Sequence, residues 1–140
     1  MPPRIRAIIQ ARMGSSRLPG KILAPLGDTP LLGHVAARLQ RVAPRLMEPY
    51  EVMVATTTDA ADDLVEQFCR HSSIACVRGS ENDVLSRFLL ASEDLDDDDV
   101  LLRATSDNPI YCPKRTARIV RELLDGDADY VGIENLSYAV

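Results

Sequence analysis

Short, nearly unbroken apolar runs alternate with longer segments whose apolar residues recur at helical spacing. This alternation constrains the chain more than any other feature. Ile5 to Gln10, Glu51 to Thr56, Ile74 to Val77, Val100 to Thr105 and Ala128 to Ile133 read as strands. Most are continuous, the pattern of strands buried on both faces. From Pro30 to Ala43, Leu31, Leu32, Val35, Leu39 and Val42 mark one helix face. From Asp59 to His71, Leu64 pairs with Phe68 and Val65 with Cys69, with acids in the first turn and Arg70 and His71 in the last. Ser80 to Asp83 reads as a capping box ahead of Val84, Leu85, Phe88 and Leu89. Pro113 and Gly126 bracket a fourth helix with Ile119, Val120, Leu123 and Leu124 on its buried stripe. The expected fold is α/β, a mostly parallel sheet with right-handed crossovers and helices on both faces.

A chain of 140 residues suits one domain spanning 1–140. With 46% hydrophobic and 26% charged residues it is not of disordered composition. A formal charge of −5 argues against nucleic acid held on a basic face, though it permits a local basic pocket. No apolar run has the length of a membrane span, and the start shows no signal-peptide layout. Cys69, Cys76 and Cys112 include no C-x-x-C pair, so reduced, mostly buried thiols of a cytoplasmic protein are expected.

Parallel strands bring the segments that follow them to one sheet edge, where ligands of such sheets bind. The first of these runs from Ala11 to Lys21. Gly14, Ser15 and Ser16 let backbone N–H groups approach an oxyanion, and Arg12, Arg17 and Lys21 add positive charge, a combination suited to a triphosphate or pyrophosphate. It is not a Walker A loop: Gly14 and Gly20 enclose five residues, and Ile22 stands where a magnesium-ligating hydroxyl belongs. The same residues also suit a solvated basic loop.

Asp107 follows the Val100 to Thr105 run and precedes Asn108-Pro109, so its carboxylate stays at the strand end, placed for Mg²⁺ or for capping a turn. Thr56 and Thr57 offer hydroxyls for a base or ribose, while Asp59 suits a helix cap. Arg78, Asp83 and Arg87 are further candidates for lining a nucleotide pocket, and Arg103 suits either phosphate or an acidic partner. Asp96 to Asp99 reads as a solvated acidic loop, and His34 and His71 as surface or helix-dipole residues.

The segment Ile8-Ile9-Gln10-Ala11-Arg12-Met13-Gly14-Ser15-Ser16-Arg17-Leu18-Pro19-Gly20-Lys21 resembles the signature of the acylneuraminate and acid-sugar cytidylyltransferases, with the spore-coat polysaccharide biosynthesis branch most similar. The likeness continues through Leu26 to Leu32, Val54 to Asp59, Arg78 to Leu85 and Arg103 to Ile110. It implies a nucleotide-diphospho-sugar transferase fold, a Rossmann-like three-layer α/β/α sandwich. It implies transfer of a cytidylyl group from CTP to an acid sugar in surface-polysaccharide synthesis, with Mg²⁺ and release of pyrophosphate.

On this likeness Arg12, Gly14, Ser15, Ser16, Arg17 and Lys21 hold the triphosphate, Arg12 and Lys21 act in catalysis, Asp107 binds the metal, and Thr56 and Thr57 lie near the nucleoside. Ser106 replaces a more usual glycine, and Arg103 stands where related branches carry glutamine. Family members continue past this length with acceptor-binding residues and often a dimer interface. The chain therefore reads as the nucleotide-binding half, with a homodimer or a second half as expected partner. Two rival readings remain at this level: a nucleotide-binding module without turnover, and a nucleotidyltransferase using another triphosphate or a sugar phosphate.

Overall fold

The structure, a computed structural model, describes residues 1–132. Its sheet is built on β1 (Ile5–Gln10), where Ile5, Ala7, Ile8 and Ile9 are fully buried. After a long loop, β2 (Pro25–Leu26) and β3 (Thr29–Pro30) form a small antiparallel hairpin that leads into α1 (Leu31–Gln40). The chain continues through β4 (Tyr50–Thr57), α2 (Asp63–His71), β5 (Ala75–Gly79), α3 (Val84–Ala91), β6 (Val100–Thr105) and α4 (Pro113–Asp125).

The four long strands are parallel, in the order β5-β4-β1-β6. Strand β1 is paired on both sides: Ile5 faces Tyr50 and Val100, and Gln10 faces Ala55 and Thr105. Side chains alternate between the sheet faces. Ile9, Val54 and Ala104 pack with Leu32, Val35, Leu39, Val65 and Cys69, so α1 and α2 cover one face. Val120 of α4 extends that layer over Ile5 and Val100. On the other face Ile8, Ala55, Met53 and Val77 pack against Phe88 and Ala91 of α3. The three-layer arrangement expected from the sequence is present, with a thinner second helical layer.

A charged residue inside β1 would be anomalous without partners, and Arg6 has them. Its guanidinium, 4% exposed as a residue, donates to Glu51, to both carboxylate oxygens of Asp94 and to the carbonyl of Ala91. This ties the amino-terminal end of the sheet to the end of α3. Asp99 accepts from the backbone N–H groups of Arg4 and Asp96, so only part of the acidic run is solvated: the Asp99 side chain is 7% exposed.

Two expectations are corrected. Residues 128–132 form no strand; Asp129 interrupts the apolar run and Tyr130 stays exposed, so the segment buries too little to join the ladder. Ile133 and the apolar run Leu136 to Val140 lie outside the described residues. Cys112 is exposed just before α4 rather than buried, because Pro113 must start the helix at the surface end.

The acid network gives a signed pH dependence. The hydrogen bond from Arg6 holds the Asp94 carboxyl below its usual range, and the backbone N–H of Arg4 does the same for Asp99. Stability from such groups is present above the ordinary carboxylate range; its loss begins there and completes as pH falls through the lower values of the folded state. Asp94→Asn is therefore expected to melt below wild type at neutral pH, with the difference shrinking toward about pH 3, as thermal melts across that range will measure.

Candidate functional site

The chain steps outward from β1 to β4 and β5, then crosses back to β6 on the other flank of β1. Right-handed crossovers in opposite directions must use opposite faces, which is why α3 lies apart from α1 and α2. Such a reversal opens a crevice beyond the carboxyl ends of the two strands flanking it, here β1 and β6. A cavity of about 360 Å³ lies there.

One wall is the loop after β1. Ala11 N–H still donates to the carbonyl of Ala55, extending the ladder by one residue. The next anchor is a side chain: Met13 N–H donates to Asp62 Oδ1 at 2.7 Å, while the other carboxylate oxygen accepts from Thr57 Oγ1. Gly20 closes the loop with its N–H on the carbonyl of Met13 and a φ of 73°, which only glycine adopts at little cost. Ser15 Oγ accepts from Leu18 N–H. The buried Ile22 then fixes a 3-10 turn that starts at Lys21. A Cβ on Gly14 would meet no protein atom, so the backbone there is open to approach.

The other wall is the end of β6. Asn108 Oδ1 accepts from Ile110 N–H and so takes the turn-capping role, and Tyr111 Oη accepts from Thr105 N–H. Asp107 is thereby left at the cavity, its carboxylate 3.9 Å from Lys21 Nζ. Arg103 lies 5.9 Å from the centre of the Phe88 ring and forms no ion pair among the described residues. Of the two roles its sequence position allowed, pairing with an acid is absent.

Arg12, Gly14, Ser15, Ser16, Arg17, Lys21 and Asp107 thus line one cavity. Thr56 and Thr57 do not: both are fully buried, the Thr57 hydroxyl is committed to Asp62, and the Thr56 hydroxyl has no partner among the described residues. Arg78 is occupied as a brace between β4 and α2, donating to the carbonyls of Thr57 and Asp59 and to Asp63 and Glu66. Asp83 caps α3 by accepting from Ser86 N–H, and Ser80 Oγ accepts from Asp83 N–H, so the cap sits three residues later than the sequence reading placed it. Arg87 is buried.

The residue that sequence reasoning missed is Asp62. An acid at a helix start reads as ordinary dipole complementarity, and nothing local distinguishes a carboxylate turned inward onto another loop. Four cations, Arg12, Arg17, Lys21 and Arg103, face the cavity, with Asp107 as a lone acid and Glu81 3.5 Å from Arg12. Converging guanidinium, ammonium and backbone N–H donors suit a polyanion. Asp107 supplies a hard oxygen ligand, and no group of three or more His, Cys, Asp or Glu able to hold a metal occurs among the described residues. This donor set fits an ion shared with a ligand's own oxygens.

The family model for cytidylyltransferases matches residues 6–139. The chain belongs to the cytidylyltransferase family. It is 38% identical over 128 residues to the spore coat polysaccharide biosynthesis protein SpsF of Bacillus subtilis, covering 91% of this chain and 53% of that protein. It is 32% identical to the 8-amino-3,8-dideoxy-manno-octulosonate cytidylyltransferase of Shewanella frigidimarina, covering 84% and 46% respectively. The solved cytidylyltransferase from Leptospira borgpetersenii superposes with a TM-score of 0.75 at 34% identity, over 89% of this chain and 50% of the other. The chain spans about half the length of the curated relatives it matches. The nucleotide-diphospho-sugar transferase type of fold expected from the sequence is the one observed. No helix among the described residues is long and apolar enough to cross a membrane.

Within this cytidylyltransferase fold, Asp62 fixes the loop's entry. Asp62→Ala strands the half-buried Met13 N–H and the buried Thr57 hydroxyl, and should cost about 1–3 kcal/mol of stability. Urea denaturation measures the loss, and limited proteolysis should show the bonds around Ser15 to Leu18 opening first.

Proposed function

We propose that this chain carries the nucleotide-binding part of a cytidylyltransferase that acts on an acid sugar for surface-polysaccharide synthesis, working in the cytoplasm where CTP is made. The observation that carries the reading is the meeting of the cationic glycine-serine loop and Asp107 across one cavity at the switch point between β1 and β6. A polyphosphate and a single acid can share that space; a solvated loop would have no reason to close over it.

In this reading Gly14, Ser15 and Ser16 present backbone and hydroxyl donors to the triphosphate, and Arg12, Arg17 and Lys21 neutralise it. Asp107 would hold Mg²⁺, which when bound supplies positive charge to the phosphate oxygens. A sugar hydroxyl attacks the α-phosphorus in line, a new P–O bond forms, the hydroxyl proton passes to water, and pyrophosphate departs with the electron pair of the broken bond. The cations act most strongly there, because charge builds on the leaving group as the bond breaks. Arg103, held over Phe88 without an acidic partner among the described residues, is suited to a further anionic group. The acid-sugar acceptor is supported by the family and by the Shewanella enzyme named for its acid-sugar substrate, and relatives about twice this length support a second half or a partner copy as the other contributor.

Calorimetric titration with Mg-CTP tests this. Arg12→Ala and Lys21→Ala should each raise the dissociation constant roughly tenfold to a hundredfold. Asp107→Asn should weaken binding only when Mg²⁺ is present. Without the metal it should bind CTP as well as or better than wild type, because a like charge has been removed. CTP should stabilise the protein more than UTP, GTP or ATP in thermal shifts. Wild-type affinity in both cation variants would remove the loop from the account. Pyrophosphate release with acid sugars separates turnover from binding alone.

A further inference from the structure

Arg87 is a buried cation that neither forms an ion pair among the described residues nor lines the phosphate cavity. It is 1% exposed, and none of its three guanidinium nitrogens has a hydrogen-bond partner among the described residues. Arg6, the other buried arginine, bonds to two carboxylates and a carbonyl. A buried charge left unpaired is costly, and an apolar side chain of similar volume would be more stable there.

The seat is nonetheless built for this side chain. A Cβ on Gly79 would come within 2.9 Å of the Arg87 Cγ, so the end of β5 carries glycine where the arginine stem lies. Arg87 stands in the first turn of α3, the end of the helix turned toward the ligand edge of the sheet. Arg12, Asp62 and Glu81 are the charged groups that act on it electrostatically. Arg12 lines the phosphate cavity, Asp62 anchors its loop, and Glu81 pairs with Arg12. Gln10 Oε1, also buried and unpartnered among the described residues, belongs to a residue that lines the same cavity. Desolvation and the like charge of Arg12 both oppose the ionised guanidinium, while Asp62 and Glu81 favour it less strongly. The free protein therefore holds a cation that its own residues leave under-compensated.

We propose that Arg87 is a buried positioning charge for the phosphate site: an uncompensated cation behind Arg12 whose cost in the free protein is offset when a polyphosphate fills the cavity. This rests on the nucleotide-binding reading above and adds to it a residue that makes no contact with ligand. A charge in the interior is screened little by salt, unlike Arg12 and Arg17 at the cavity mouth. Part of the site's attraction for polyanions should then persist at high ionic strength.

The test is Arg87→Met, which keeps the stem and removes the charge, with Arg87→Lys as the charge-retaining control. Each is melted without ligand and titrated with Mg-CTP and with inorganic tripolyphosphate at about 50 mM and about 500 mM salt. Arg87→Met is expected to melt several degrees above wild type. It should bind both ligands roughly tenfold more weakly, by the same factor at both salt concentrations. Arg87→Lys should bind like wild type. A lower melting temperature or failure of Arg87→Met to fold overturns the inference, because the cation would then be a structural support. Unchanged affinity overturns it too, as does a loss confined to Mg-CTP with tripolyphosphate unaffected. If wild type binds neither ligand, the underlying nucleotide reading fails, and the inference with it.

Discussion

Strand β1 is paired along both edges and covered on both faces, and the site depends on that confinement. Such a strand has one degree of freedom left, the direction its chain takes on leaving the carboxyl end. Ala11 is still locked to β4, and Met13 is caught by Asp62 two residues later. The loop is therefore presented from the centre of the sheet at a fixed height, beside β6, whose Asp107 arrives in the same plane by parallel register. An antiparallel partner, or a register shift of one residue, would send Asp107 to the opposite end or turn its neighbours to the wrong face.

This confinement also explains how an acidic protein maintains a cationic cleft. The fold places its partnered acids elsewhere: Asp94 and Glu51 on Arg6, Asp63 and Glu66 on Arg78. Arg17 and Arg103 face the cavity without an ionic partner among the described residues, and Lys21 and Arg12 have only long contacts at 3.9 and 3.5 Å. Long, half-exposed pairs of this kind contribute little to stability. They leave cations in place that a polyphosphate can claim without first breaking a strong bridge.

Much of this was legible in the residues. Continuous apolar runs gave away strands buried on both faces, and the segments following them could be placed at one edge before any geometry was known. The glycine-serine loop and Asp107 were found that way. What stayed hidden was orientation at the strand ends. Thr56 and Thr57 have ligand chemistry but point into packed protein, because β4 continues to Thr57 where the sequence pattern ended it at Thr56. Asp62 and Arg87 carry charges that composition assigns to the surface, and only the tertiary fold turns them inward. The run at 128–133 has strand-like residues, but no single-sequence signal reports whether a ladder partner is available.

The central claim is that the loop after β1 and the end of β6 act together on one polyphosphate. Backbone amide chemical shifts followed during titration with Mg-CTP and with tripolyphosphate test it most directly. The account predicts that Met13 to Arg17, Lys21 and Asp107 shift together with both ligands, and that the base of CTP adds a further set beyond them. Shifts confined to the second, more apolar cavity between β6 and α4, with Gly14 to Ser16 unmoved, would contradict it.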